Sequence, residues 1–283
     1  GTGALGSVDP KVIHFTAAAG WIARFFYDYY AFTGDEKFLK SKAMPFMKDV
    51  ATFYEEFLKL KDGKYETCPS YSPDTTPGNY VIGDEDLKIA RNATVDFAVI
   101  RELLTDLIKG SAVTGLYKDD VQKWQHMLTC IPAYAFNADG TVKEYIDGEF
   151  TDNDLSPSTL EYYPVCPGRE IGADSPELLR SFLITAKKKY DTAKKKFTSE
   201  YLARYANIFA RTGDGDEAYG VITQMVRGMS MQNLVFAASD WRGMGVGAGD
   251  VWAAYSLEAN MGVTNALQLS LIHISEPTRL ALI

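Results

Sequence analysis

Residues 20–39 read GWIARFFYDYYAFTGDEKFL, and they contain the clearest indication of the fold. We predict a helix over residues 15–32, which are rich in aromatic residues and alanine and lead into Thr33, Gly34 and Asp35. Gly34 can adopt the left-handed conformation that ends a helix, and the Asp35 side chain can cap the next one. Two long helices joined by so short a turn must pack antiparallel. The stretch therefore predicts a helical hairpin.

The second helix of this hairpin is predicted over about residues 36–60. Its apolar residues recur at helical spacing and define one face of the helix. The members of this face are Phe46, Val50, Phe53, Tyr54 and Phe57. Pro45 lies inside the predicted helix, where a missing N–H and a ring clash predict a kink or a restart.

The same construction recurs along the chain. Residues 201–209 form an apolar helical face that ends at a second Thr-Gly-Asp, residues 212–214, and a further helix follows. A middle hairpin fits residues 92–112 and 118–128. This weak internal repeat predicts an all-α fold, a stack or ring of helical hairpins. The lysine-rich residues 187–196 are interpreted as a solvated helix face.

Composition limits the possible partners. The net charge of -8 argues against a nucleic acid or an anionic membrane, and suits a neutral small molecule or polymer. No segment reaches the roughly 18 apolar residues that a membrane helix needs. The 3 cysteines are far apart, and the 3 histidines form none of the usual zinc-ligand spacings. We expect no disulfide framework, no metal site and no cofactor.

Long loops rich in glycine, proline, carboxylates and aromatic residues separate the predicted helices. They cover residues 65–84, 145–176 and 237–250, and loops of this length in a compact domain are usually functional or disordered. An aromatic face can stack on a sugar and an arginine can hold a hydroxyl, so we select Trp241, Arg242 and Tyr71 as substrate-binding candidates. Anchoring of the loop to the core is the alternative for Trp241, and core packing is the alternative for Tyr71.

Four segments of the sequence, residues 20–39, 69–74, 139–145 and 256–262, resemble segments of glycoside hydrolase family 95. The first is residues 20–39, which resemble a barrel helix and turn of that family. Residues 69–74, Pro-Ser-Tyr-Ser-Pro-Asp, resemble its Pro-Ser-x-Ser-Pro-Glu segment. Residues 139–145, Asp-Gly-Thr-Val-Lys-Glu-Tyr, are similar to its Gly-x-x-x-Glu-Trp segment, and residues 256–262, Ser-Leu-Glu-Ala-Asn-Met-Gly, to its Gln-Ile-Asp-x-Asn-x-Gly segment. The matches keep the family's order.

The resemblance implies an (α/α)6 barrel and inverting hydrolysis of terminal α-L-fucosides or α-L-galactosides in oligo- or polysaccharides. It also implies a secreted or periplasmic location. Carried over by position, Asp74 is the general acid and Glu258 acts on the attacking water. Both depart from the family, which has Glu and Asp at these positions. The family's histidine-rich segment corresponds to residues 152–158, which contain no histidine, and Asp154 is our substrate-binding candidate there.

The residues by themselves leave other roles open. Asp74 fits an Asx turn or a cap before Thr75, and Glu258 fits a first-turn charge or a capping-box partner at a helix N-terminus. Asn260 is a further substrate-binding candidate, and by itself it fits either the orientation of a carboxylate or a helix cap. A catalytically inactive carbohydrate-binding homologue and an α/α-barrel glycosidase of another specificity are the alternative functions.

The chain ends do not look natural. Residues 269–283, LSLIHISEPTRLALI, resemble translated adapter sequence, so we interpret them as a non-native tail. Residues 1–268 are then part of one catalytic domain. We expect N-terminal and C-terminal parts of the natural chain to be missing.

Overall fold

The computed structural model describes residues 15–72, 75–79, 90–193, 196–249 and 254–275. The chain divides into two compact units. Unit 1 consists of residues 1–135 and 143–153, and unit 2 of residues 136–142 and 154–283. Each unit is built from helices that connect in sequence as hairpins, so the predicted all-α class is confirmed.

Unit 1 contains four longer helices and one short β-hairpin among its described residues. The helices are α1 (Ala18–Thr33), α2 (Met44–Phe57), α3 (Thr94–Thr114) and α4 (Val121–Cys130). Strands β1 (Lys59–Lys61) and β2 (Lys64–Glu66) pair antiparallel after α2. Helix α2 packs against α1 and α3, and α3 packs against α4.

The turn after α1 has the predicted geometry. Gly34 has a φ of 69°, and its N–H donates to the Tyr30 carbonyl at 2.7 Å. Asp35 caps the following turn, Glu36–Phe38, because its Oδ1 accepts from the Phe38 N–H at 2.9 Å. The chain therefore reverses within a few residues, because Gly34 tolerates the left-handed region and the short side chain of Asp35 caps the next turn.

Pro45 restarts the second helix, as predicted. A π-helical turn, Leu39–Ala43, precedes α2, and Pro45 lies in the first turn of α2. A proline is tolerated there because the first N–H groups of a helix lack intrahelical partners. The wider π turn joins the two helical pieces without a loop.

The inner face of α2 differs from the prediction at one position. Val50 and Tyr54 are buried as expected, but Phe53 is 43 % exposed. Met44 and Met47 occupy the inner side instead, and both are fully or almost fully buried. An unbranched methionine adapts to irregular gaps between helices, whereas a phenylalanine ring needs a flat slot.

Unit 2 repeats the hairpin construction. Its helices are α5 (Pro176–Ala193), α6 (Ser199–Arg211), α7 (Gly215–Gly228) and α8 (Leu257–Ser275). Gly213 has a φ of 82°, and Asp214 Oδ1 accepts from the Glu217 N–H at 3.1 Å. This second Thr-Gly-Asp therefore turns the chain as the first one does. Helix α8 packs on α6.

The interpretation of the lysine-rich stretch as a solvated face is wrong at Lys189. Its Nζ lies 2.6 Å from Glu161 Oε1, and both side chains are buried. Lys187 and Lys188 pair with Asp214 and Asp139 nearer the surface. Successive helical residues are rotated by about 100°, so a run of lysines cannot keep every member on the outer face.

No helix in the described ranges is both long enough and apolar enough to cross a bilayer.

Close helix packing at Gly20 gives a prediction about stability. A Cβ on Gly20 of α1 would lie 2.5 Å from Val99 Cγ1 and 2.9 Å from the Tyr54 hydroxyl. We expect Gly20→Ala to lower the free energy of unfolding by about 1–3 kcal/mol, because overpacking outweighs the better helix propensity of alanine. Urea titration monitored by circular dichroism measures this change.

Gly220→Ala is the matched control. Gly220 lies inside α7, and a Cβ there would meet nothing within 4 Å. We expect this variant to be more stable by about 1 kcal/mol, from propensity alone. If the free energy of unfolding changed in the same direction in Gly20→Ala and Gly220→Ala, the close packing of α1 on α3 would be contradicted.

Candidate active site

Asp74, the predicted general acid, lies outside the described residues. It belongs to residues 67–79, which we call the acid loop, and the structure describes this loop except for Pro73 and Asp74. Ser70, Ser72 and Thr75 of the loop are all buried. The loop is thus held inside unit 1 on both sides of the two residues that are not described.

One anchor of the acid loop is Asp96, in the first turn of α3. Its Oδ2 accepts from the Ser70 hydroxyl at 2.6 Å and from the Thr16 hydroxyl at 2.7 Å. The Ser70 Oγ in turn accepts from the Ala93 N–H at 2.8 Å. One buried carboxylate therefore joins the acid loop, the start of α1 and the start of α3.

The environment of Asp96 favours its protonated form. Burial raises the pKa of Asp96 to about 6, although the hydrogen bonds from Ser70 and Thr16 and the Ala17 N–H act in the opposite direction. Desolvation disfavours the charged form of a carboxyl group, and here it exceeds the effect of the donors. Asp96 was missed by the sequence reasoning, although a carboxylate between Val95 and Phe97 in an apolar run is a readable signal.

A second anchor is the Tyr145 hydroxyl, which contacts the loop on both sides of Pro73 and Asp74. It accepts from the Ser72 N–H at 3.2 Å and donates to the Thr75 carbonyl at 3.4 Å. Ser72 and Thr75 are also joined directly, since the Thr75 N–H donates to the Ser72 carbonyl at 3.1 Å. Burial raises the pKa of Tyr145, so the phenol stays neutral and keeps its proton.

Residues 144–153 support the far end of the acid loop. The Gly78 N–H donates to the Thr151 carbonyl at 2.8 Å, and a Cβ on Gly78 would lie 2.4 Å from the Asp152 carbonyl oxygen. Glu144 accepts from the Asn153 N–H at 3.0 Å through its carboxylate. Glu144 thus holds the backbone of this segment.

Glu258, the predicted base, is exposed in the first turn of α8 in unit 2. Ser256 caps this helix, because its Oγ accepts from the Ala259 N–H at 3.2 Å. Glu258 is therefore the second helical residue, whereas a capping-box partner stands at the third. The catalytic role of Glu258 stays a prediction.

Asn260 uses its side-chain amide within unit 2. Its Nδ2 donates to the Ser256 carbonyl at 2.7 Å, and its Oδ1 accepts from the Phe236 N–H at 3.4 Å. These bonds fasten the start of α8 to the preceding segment. Its predicted contact with substrate is not tested by these bonds.

Trp241 and Arg242 stand at the surface of a well-anchored loop. Trp241 is 44 % exposed, and the Arg242 guanidinium carbon lies 4.9 Å from the centre of the Trp241 ring. The neighbouring Asp240 is buried and accepts from the Met244 and Val246 N–H groups at 3.1 and 3.0 Å. Asp240, rather than Trp241, therefore anchors this loop.

The two other candidates have protein surroundings. Tyr71 is 3 % exposed, which places its side chain inside unit 1. Asp154 lies in unit 2 with its Oδ2 3.4 Å from Lys188 Nζ, and both side chains are partly exposed. Their contacts with a sugar stay predictions.

The fold is thus a set of helical hairpins joined by long polar and aromatic loops, an arrangement in which loops over a rigid scaffold often carry binding residues. The chain belongs to the family described as glycosyl hydrolase family 95 catalytic domain, which it matches over residues 2–271. It is 27 % identical over 212 residues to alpha-L-fucosidase 2 of Arabidopsis thaliana. This match covers 72 % of the chain, which spans only 24 % of that relative's length. The suspected family is thereby confirmed.

The buried Asp96 carboxyl predicts a specific pH dependence of stability. Its ordinary pKa is 3.8 and its pKa in the folded protein is about 6, so the folded state holds this proton more tightly. The stabilisation from this group is therefore lost as the pH rises through that interval. We expect Asp96→Asn, which cannot ionise, to gain stability relative to the unsubstituted protein between about pH 4 and pH 7, by at most about 3 kcal/mol.

Denaturant unfolding of both proteins across this pH range measures the difference. A difference that does not change with pH would show that Asp96 titrates normally. Asp49→Asn, at an exposed position of α2, is the control for a carboxyl group in water.

Proposed function

We propose that this protein is a glycoside hydrolase that removes a terminal α-L-fucosyl or related α-L-galactosyl residue from oligo- or polysaccharides. Membership of the glycosyl hydrolase family supports the reaction class, and the relative named as a fucosidase supports the sugar. The observation that carries the proposal is the anchoring of the acid loop by Asp96 and Tyr145. Such support from buried polar groups is what a precisely oriented acid needs.

The proposed chemistry is a single displacement with inversion. Asp74 gives its proton to the glycosidic oxygen while the bond from that oxygen to the anomeric carbon breaks. Glu258 accepts a proton from a water molecule whose oxygen forms the new bond to the anomeric carbon. The products are the free sugar of opposite anomeric configuration and the alcohol that leaves.

The two acidic residues differ in length from those of the resembled segments. Asp74 is shorter by one methylene than the family's Glu, and Glu258 is longer by one than the family's Asp. We propose that the protein remains a hydrolase with this exchanged pair. Asp74→Glu then either maintains or raises the turnover, because a carboxyl group of the same chemistry is supplied.

Trp241 and Arg242 are the proposed sugar contacts of unit 2. An exposed indole offers an apolar face to the C–H side of a pyranose, and the guanidinium offers several donors to its hydroxyl groups. Their loop is held by Asp240, so little ordering is needed when substrate binds.

The test replaces each acidic residue by its amide in the full-length protein. We expect Asp74→Asn and Glu258→Gln each to lower kcat on a disaccharide with terminal α-L-fucose by about 10²- to 10⁴-fold, which is the usual contribution of a general acid or base. Release of fucose measures the rate, and proton NMR at early times identifies the first anomer formed.

Glu177→Gln is the matched control for Glu258→Gln. Glu177 is exposed and is also the second residue of its helix, α5. It should therefore lose the same interaction with the helix N-terminus and leave the turnover unchanged. An unchanged kcat in both Asp74→Asn and Glu258→Gln would refute the roles assigned to Asp74 and Glu258.

The alternative is a carbohydrate-binding homologue without activity, and the exchanged acidic residues and the absence of histidine at residues 152–158 favour it. Calorimetry with the same disaccharide separates the two functions. Saccharide binding without release of fucose on long incubation would support the alternative and exclude the hydrolase.

A further inference from the structure

We propose that Tyr145 is a positioning residue for the general acid: its buried hydroxyl fixes the two sides of the acid loop between which Asp74 stands. Since this role presupposes that Asp74 is the acid, it rests on the proposed function. Tyr145 need not contact substrate, and its effect is transmitted through Ser72 and Thr75.

The Tyr145 hydroxyl contacts both of the residues that flank Pro73 and Asp74. In sequence, Ser72 and Thr75 are separated by Pro73 and Asp74 alone. One oxygen atom, the Tyr145 hydroxyl, accepts from the N–H of the former and donates to the carbonyl of the latter. A single group that bridges these two residues restrains their separation and the orientation of their peptide planes.

Tyr145 itself is held in a fixed position. Its side chain is 0 % exposed, and its ring packs at 5.5 Å from the ring of Phe150. Its backbone pairs with Ala93, directly before α3. The hydroxyl is therefore carried by a side chain that cannot move far, on a segment attached to the longest helix of unit 1 among the described residues.

The hydroxyl group is what distinguishes Tyr145 from a phenylalanine at the same position. A phenylalanine would fill the same space, and burying a phenolic hydroxyl without partners costs about 1–3 kcal/mol. Here the hydroxyl has a donor and an acceptor from the same loop, and burial raises its pKa so that it remains a neutral phenol. A tyrosine at this place is explained by what its oxygen holds.

A difference between leaving groups provides the test. A sugar alcohol needs a proton from the acid as it departs, whereas fluoride leaves without one. A misplaced acid therefore slows hydrolysis of a disaccharide more than hydrolysis of a glycosyl fluoride. We expect Tyr145→Phe in the full-length protein to lower kcat on a disaccharide with terminal α-L-fucose by about 10- to 100-fold. On α-L-fucosyl fluoride we expect a loss of less than about threefold, because the acid is dispensable there.

The controls distinguish positioning from general damage. Tyr190→Phe removes another buried phenol, one whose hydroxyl donates to Gln224 Oε1 at 2.9 Å in unit 2, and it should slow neither substrate. Asp74→Asn should show the same selectivity as Tyr145→Phe, but more strongly. Circular dichroism and urea unfolding establish that each variant is folded.

The outcomes separate this inference from the proposed function. If Asp74→Asn discriminates between the two substrates and Tyr145→Phe does not, or slows both equally, the positioning role is overturned while the hydrolase stands. If Asp74→Asn leaves both rates unchanged, the assigned acid fails, and the role of Tyr145 falls with it. Selective loss in both variants, with Tyr190→Phe unaffected, supports the inference.

Discussion

The hydrogen bonds received by the buried Asp96 carboxyl are the constraint on which unit 1 depends. A carboxyl group inside a protein is tolerated when donors surround it, and here the donors come from different parts of the chain. Thr16 and Ser70 both donate to Asp96, and the Ser70 oxygen also receives the Ala93 N–H. The start of α1, the acid loop and the start of α3 therefore take their positions from one side chain.

Unit 2 uses a buried aspartate in a related way. Asp240 accepts from the Met244 and Val246 N–H groups and so closes the glycine-rich loop that presents Trp241. The close fit extends to Gly228, where a Cβ would lie 2.7 Å from Asp240 Oδ1. In both units the helices form the scaffold, and a buried carboxyl group converts a loop that lacks regular structure into a fixed support.

In unit 2, the candidate residues Trp241 and Glu258 lie beside residues that hold the backbone. Asp240 is buried and holds the loop, while Trp241 beside it is 44 % exposed. Glu258 is exposed at the start of α8, whereas Ser256 provides the cap. Trp241 and Glu258 are thus distinct from the residues that hold the backbone beside them, whereas the candidate Asn260 itself bonds to the backbone. A substitution of Trp241 or Glu258 should therefore leave the loop and the start of the helix intact.

The helical hairpins and the family could be predicted from the amino-acid sequence. The turns at Gly34 and Gly213 depend on local conformation, which is written in adjacent residues, and so both could be predicted. The tertiary structure decided the inward position of Met47, the burial of Lys189 and the joint contact of Tyr145 with Ser72 and Thr75. These features depend on partners distant in sequence, because a side chain becomes buried or bonded only when another segment packs against it. A local sequence pattern contains no information about such a contact.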